Sequence, residues 1–240
     1  QPGTTWDLYQ VKASESLNIQ AGGIGSRLAY RDPANPQING KSSRQGPTPK
    51  MLNTYYDMLL LLSGDLNNAV LGPFANRSSN DAGILIDWLS NGNPTTPDRG
   101  LWAMGAGFAE SNIGQGGPPQ TTLQLNYLGA DLRNGSYTLE SANTESVPDL
   151  SPVAGGPLFA KHDIWGVQNS CLQTLDVLTP VGSSVANAQY EAQGPGPFPL
   201  ASSVYHAHSS LEPYVTLVDG WDLQSRTSRF DNDTRGRLRY

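Results

Sequence analysis

Residues 55–66 read YYDMLLLLSGDL, residues 80–92 NDAGILIDWLSNG, and residues 98–112 DRGLWAMGAGFAESN, with a loop after each of the first two. The first is apolar from Met58 to Leu62 and stops at Ser63-Gly64-Asp65. In the second, Asn80 or Asp81 is placed to cap a helix, with Ile84, Leu85, Trp88 and Leu89 on one face and Gly92 as its stop. The third runs through Leu101–Met104 into the small residues Gly105-Ala106-Gly107. Apolar run, amphipathic run, apolar run is the pattern of strand, helix and parallel strand. It predicts an α/β fold with a mostly parallel, flavodoxin-like or Rossmann-like sheet flanked by helices.

Outward from that unit the texture loosens. Residues 4–11 (TTWDLYQV) alternate as a strand does, while residues 12–49 are broken by Gly and Pro and read as a long surface loop. Residues 50–56 fit a helical turn leading into the first strand. Residues 108–112 open a helix, 114–119 interrupt it, and 121–128 resume it. From Gly129 onward short segments at 132–139, 158–167 and 175–178 lie between Pro and Gly, so a few antiparallel edge strands are expected in the second half. Residues 204–208 and 214–219 read as two more strands, and Asp231 or Asp233 caps a last helix.

The 240 residues suffice for one α/β domain under long polar loops. Charged residues make up only 15% against 26 glycines and 18 prolines, a balance met more often in secreted than in cytosolic proteins. A net charge of -6 argues against nucleic acid as partner. The late arginines, Arg226 to Arg239, are interleaved with Asp219, Asp222, Asp231 and Asp233 and read as a solvated mixed-charge surface. No apolar run approaches the roughly 18 residues of a membrane span, so no membrane insertion is expected. Cys171 is the single cysteine; it reads as a small buried hydrophobe, half of a bridge to sequence outside this chain, or a reactive thiol.

An α/β enzyme carries its nucleophile on a tight turn after a strand, where small neighbours let an oxygen or sulfur stand above the sheet. Here Gly105, Ala106 and Gly107 supply the small neighbours and no nucleophile. Close strand–helix packing is the plain reading of these glycines, and a phosphate cradle is the functional one. Ser63, Gly64, Asp65, Gly105, Ala106, Gly107 and Glu110 would then line the crevice at the C-terminal ends of the strands, the usual place for a ligand. Asp65, Asp81 and Glu110 are candidates for Ca²⁺ or a cationic ligand, though carboxylates so placed more often cap helices and satisfy loop amides; no other cofactor is expected.

His206 and His208 alternate on one strand, as two metal ligands or a solvent-facing pair would, with Glu212 or Asp219 as third-ligand candidates. His162 and Cys171 form the only available Cys/His dyad. Trp6, Trp165 and Trp221 are candidates for a carbohydrate-binding surface, with a glycan as ligand. Asn76, Asn134 and Asn232 stand in glycosylation triplets.

Residues 57–66, the helix ending at Asp87-Trp88-Leu89-Ser90-Asn91-Gly92 and the strand 101–107 resemble the core of the class I glutamine-amidotransferase-like domain. The closer likeness is to versions of it in large secreted bacterial surface proteins with Ig-like modules and C-terminal sorting tails. Residues 171–180 (CLQTLDVLTP), 215–223 and 234–240 look similar as well. The resemblance implies a flavodoxin-like sheet with helices on both faces. By its register the family's catalytic cysteine falls at Gly105, and its downstream His-x-Glu has no counterpart after residue 129. It therefore implies a pseudoenzyme that kept the scaffold and lost the amide-hydrolysing site. The family's first strand and helix should precede residues 4–11. The expectation is a piece of a longer secreted chain, lacking that strand and helix before Gln1 and cut in its last helix at Tyr240.

Taken together, a non-catalytic extracellular or cell-surface module with structural or adhesive roles is expected. Its partners would be other domains of the same polypeptide or identical copies joined through sheet edges. The alternatives are a hydrolase using Cys171 with His162 or a metal at His206 and His208, and a carbohydrate-binding module.

Overall fold

A computed structural model describes residues 7–8, 47, 49–64, 66–68, 70–72, 80–93, 98–137, 149–154, 156, 165–167, 175–190, 200–207, 212–222 and 226–228. The expected strand at 4–11 and the last helix lie, apart from Asp7 and Leu8, outside these residues.

The deciding stretch folds as its pattern requires. A short helix α1 (Pro49–Tyr55) leads into strand β1 (Met58–Gly64), helix α2 (Asp81–Ser90) crosses over, and strand β2 (Arg99–Gly105) returns parallel to β1. Leu59 pairs with Leu101 and Leu61 with Ala103, so alternate residues share the helix-covered face. Against that face α2 buries Leu85, Trp88 and Leu89, which the 3.6-residue period sets side by side. Asn80 occupies the cap position of α2 without a side-chain cap bond. Its neighbour Asp81 is fully buried and accepts from the Gly72 amide at 2.8 Å, the loop-satisfying role.

Helix α3 (Phe108–Gly114) follows the small-residue turn, then α4 (Pro118–Thr122) and a π-helical turn, Leu123–Tyr127. The expected helix over 121–128 is thus split. Its last turn is widened by a Leu128 N–H bond to the Leu123 carbonyl, 2.9 Å, while the Tyr127 carbonyl accepts from Thr216 Oγ1 at 2.7 Å.

The later strands are β3 (Ala130–Asn134), β4 (Asp149–Pro152), β5 (Trp165–Val167), β6 (Val177–Pro180), β7 (Val185–Tyr190), β8 (Leu200–His206), β9 (Tyr214–Asp219) and β10 (Arg226–Ser228). The sheet runs β1-β2-β9-β8-β7-β4-β5-β10, with β6 set against β8 and β3 against β6. It is a mixed, partly parallel sheet with helices. Only β1–β2 and β2–β9 are parallel, and the other described pairs are antiparallel. The expectation of a mostly parallel sheet therefore holds for β1, β2 and β9 alone. A parallel return needs a crossover, usually a helix, and among the described residues no helix comes after Tyr127 beyond a single helical residue at Tyr137. Past that point consecutive strands return antiparallel, β8 beside β7 and β9 beside β8, while the turn from Val181 to Ser184, with Gly182 at φ 64°, passes the chain from β6 to β7, both of which pair with β8.

One core lies under α1, α2 and the π turn and includes Leu101, Ala103, Val204 and Val218. A second gathers Ala106, Tyr137, Leu150, Leu175, Val177, Tyr190, Leu200 and Trp221. Trp221 is 1% exposed, so it presents nothing to a glycan. Trp6 and the Trp165 side chain lie outside the described residues.

Candidate functional site

The C-terminal ends of β1, β2 and β9 lie at one end of the sheet, where Ser63, Gly64, Gly105, Ala106 and Gly107 come together, while Glu110, one turn into α3, turns its side chain to Gly135. Asp65 lies outside the described residues. The Ala106 amide donates to the Gly64 carbonyl at 3.0 Å, and Ser63 Oγ donates to the Met104 carbonyl at 3.2 Å. A side chain added at Gly105 would run into Ser63 Oγ and come within 3.1 Å of the Gly64 carbonyl oxygen. Where the resembled family would place sulfur, a side chain would displace the Ser63 hydroxyl. The start of α3 is closed more firmly, since a side chain at Gly107 would meet the Asn67 main chain.

The free amides at the head of α3 would be the natural anion site. They are taken by a residue that no motif marks. Asp176, fully buried, accepts from the Ala109 amide at 2.7 Å and from the Glu110 amide at 3.2 Å through one oxygen. Its own amide donates to the Ala106 and Gly220 carbonyls, both at 3.0 Å. Tyr190, also buried, donates its hydroxyl to the Asp176 carbonyl at 3.0 Å and to the Gly220 carbonyl at 3.1 Å. The amides of Ala109 and Glu110 that follow the 105–107 turn are thus taken by the chain's own Asp176.

Burial pushes the Asp176 carboxyl well above the ordinary carboxylate range; the two amide bonds oppose that rise and the nearby Glu110 charge adds to it. Burial, then the Asp176 and Asp219 charges, likewise push the Tyr190 hydroxyl up. Asp219 is buried at the end of β9 and accepts from Trp102 Nε1 at 2.7 Å. Asp222, buried in the following turn, has an oxygen 3.8 Å from where a Gly64 side chain would begin.

The folded state holds the Asp176 proton more tightly than the unfolded state does, and this sets the sign of the pH effect. The contribution of Asp176 is most favourable below the unfolded-state value and declines as pH rises toward the folded-state value. Asp176→Asn keeps an acceptor for the two amides and removes this decline, so its urea midpoint at neutral pH is expected to equal or exceed that of the wild type. Asp176→Ala leaves two buried amides without an acceptor and is expected to cost about 1–3 kcal/mol. An Asn variant weaker than the Ala variant would contradict this placement.

Among the described residues no group of three or more His, Cys, Asp or Glu side chains is arranged to hold a metal ion. Asp81 serves the Gly72 amide and Glu110 sits beside Gly135, so these two carboxylates do not converge on a shared Ca²⁺.

His206 is not the solvent-facing member of a pair. It is 5% exposed at the end of β8, at the opposite end of the sheet from the crevice. Its Nδ1 lies 2.8 Å from Ser184 Oγ and its Nε2 3.0 Å from Glu212 Oε2. Glu212, one of the two third-ligand candidates, does meet His206, whereas Asp219 lies at the far end of β9. His208, His162 and Cys171 lie outside the described residues, as do Asn76 and Asn232. Asn134 is half-buried at the end of β3, where its Oδ1 accepts from the Ser136 amide at 3.0 Å.

Sequence reasoning misses two of these partners. Asp176 sits in an apolar run that gives no local sign of a capping role, and Ser184 lies in a Gly-Ser-Ser turn like many others. No family model matches the chain and no curated protein matches it.

Proposed function

We propose that the chain is an extracellular structural or adhesive module of a larger surface protein or assembly, with no amide-hydrolysing centre at the turn after β2, and that it associates with identical copies through the outer edge of β1. The reading keeps the glutamine-amidotransferase-like, flavodoxin-like scaffold as its frame, supported by the parallel β1, β2 and β9 and the α2 crossover. The observation that carries it is the closed turn: glycine where the nucleophile would stand, and Asp176 on the α3 amides where an oxyanion would rest.

Association rests on β1. Its unbroken apolar run has the composition of a central strand covered on both faces. Among the described strands, however, β1 pairs with β2 alone, and Met58, Leu60 and Leu62 are 59%, 51% and 47% exposed. No lysine, proline or charge lies within 58–64 to blunt the edge, which is how monomeric sheets avoid pairing. Light scattering across a concentration series is expected to show mass rising with concentration, and Leu60→Lys is expected to abolish the rise. Leu60 is half exposed, so that substitution leaves the core in place. A wild-type particle that stays monomeric throughout would overturn the association.

A further inference from the structure

We propose that Ser184 is a nucleophile activated by His206 and Glu212, acting on carboxylic esters that reach it across the exposed turn at 182–185. This goes beyond the module reading and concerns the end of the sheet remote from the closed turn. The geometry begins with the tautomer. An ionised carboxylate can only accept hydrogen bonds, so the 3.0 Å contact to Glu212 Oε2 places the neutral ring's proton on Nε2. Nδ1 is then left as an acceptor, and at 2.8 Å it receives the Ser184 hydroxyl proton. A Ser–His bond that only pinned the β6–β7 turn would serve equally with either tautomer. Here the carboxylate selects the one in which the ring is a base toward the hydroxyl. The roles are those of an acyl-transfer triad with the two ring nitrogens exchanged.

The surrounding backbone is shaped to admit these side chains. Directly after the π turn, Gly129 takes φ 63°; a side chain there would collide with Ser184 Oγ and come within 2.7 Å of His206 Nδ1. Single π-helical turns are frequent at functional sites, and glycine is the residue that adopts the left-handed conformation beside this one without strain. The imidazole is held by stacking: the Tyr214 ring lies 5.8 Å from it at 20°, and Tyr127 continues the stack at 5.3 Å. Tyr214 Oη lies 3.4 Å from both Glu212 Oε1 and the Asn126 carbonyl, so its single proton is shared between the two acceptors. Ser184 itself is 9% exposed, while Gly182 and Ser183 beside it are open to solvent and Val185 is 44% exposed. The Ser184–His206 contact is buried, and the exposed residues that an ester would cross to reach it are Gly182, Ser183 and Val185.

The step balances without a further reagent. Ser184 Oγ bonds to the ester carbonyl carbon as its proton passes to His206 Nδ1. The C–O bond to the alcohol breaks, and the alcohol leaves with that proton. Water then attacks the acyl carbon and gives its proton to Nδ1. The acyl–Oγ bond breaks, and Ser184 recovers the proton as the carboxylic acid departs.

The test is covalent labelling of the whole chain with a fluorophosphonate, in which Oγ–P forms, P–F breaks and fluoride leaves. One adduct per chain, mapped to Ser184 and absent from Ser184→Ala, is expected, with p-nitrophenyl acetate hydrolysis lost in parallel. Glu212 is a positioning residue, and Glu212→Gln is expected to slow labelling at least tenfold while the urea midpoint stays near the wild-type value, a split that a purely structural Glu212 would not produce. Should Ser184→Ala fail to fold, adduct mapping on the wild type and the Glu212→Gln rate still decide. Folded wild type that remains unlabelled at millimolar probe, or an adduct that maps to another serine, would overturn the proposal.

Discussion

Trp88→Ala is expected to lower the free energy of unfolding by about 3–5 kcal/mol, the range for emptying a fully buried aromatic site. Trp88 has no exposed surface and packs in the core between α2 and the sheet. Its Nε1 donates to the Tyr56 carbonyl at 3.0 Å, which ties α2 to the residue just before β1. The Arg99 guanidinium lies 5.6 Å from the ring centroid, and Arg99, itself 8% exposed, also reaches the Tyr56 and Asn53 carbonyls. Removing the indole thus opens a cavity and takes the aromatic face from a buried cation. Trp88→Phe keeps most of the volume and loses the N–H donor, so about 1–2 kcal/mol is expected for it. The surface ion pair of Arg99 with Asp57 adds little, since Asp57 is 87% exposed. Urea unfolding of the three proteins measures the series, and an alanine variant within about 1 kcal/mol of wild type would mean that α2 does not pack on β1 and β2 as described.

Gly107→Ala is expected to cost about 3 kcal/mol or more, at the upper end for overpacking, because the obstacle is main chain. The new Cβ would stand 2.6 Å from Asn67 Cα, with the Asn67 Cβ closer still, so no rotamer change relieves the overlap. Gly114→Ala is the control. Nothing lies within 4 Å of its Cβ position at the end of α3, and alanine there gains up to about 1 kcal/mol of helix propensity. A fall in thermal midpoint for the first and none for the second is the expected pair of results. Equal midpoints would refute the close approach of α3 to the 66–68 turn. The same crowding bears on any attempt to restore a nucleophile: Gly105→Cys would meet Ser63 before it met a substrate.

The strand–helix–strand unit is legible in the sequence because its signals are local. Five successive apolar residues from Met58, a helical face at Leu85, Trp88 and Leu89, and the glycines after Met104 each state their element within a few positions. The absence of a nucleophile at Gly105 is legible for the same reason. The chain beyond Tyr127 is less so. β4 and β7 carry a proline or small polar residues, and their places in the sheet come from partners distant in sequence, such as Tyr190 with Leu150 and Leu200. β7, β8 and β9 follow one another as an antiparallel run, and only the parallel pairing of β9 with β2, far away in sequence, sets that run in the middle of the sheet. Asp176 and Ser184 leave no mark in the sequence, because a capping carboxylate or a bonded hydroxyl is defined by what approaches it in space. His206 stands out in the sequence for a different reason from the one the fold gives it. Alternation with His208 points to a metal, whereas burial beside Ser184 and Glu212 supplies other company.

The position of β9 has a consequence for how the chain is made. It joins β2 on one side and β8 on the other, and its partner in β2 precedes it by more than a hundred residues. A nascent chain that has not yet yielded Tyr214 holds two half-sheets, each with a raw flank, joined among the described residues by the Asp176 bonds to Ala106, Ala109 and Glu110 and by no strand pairing. Until that late strand arrives, no pairing among the described strands closes the halves into one sheet, and both are open to pairing with a neighbour on the same polysome.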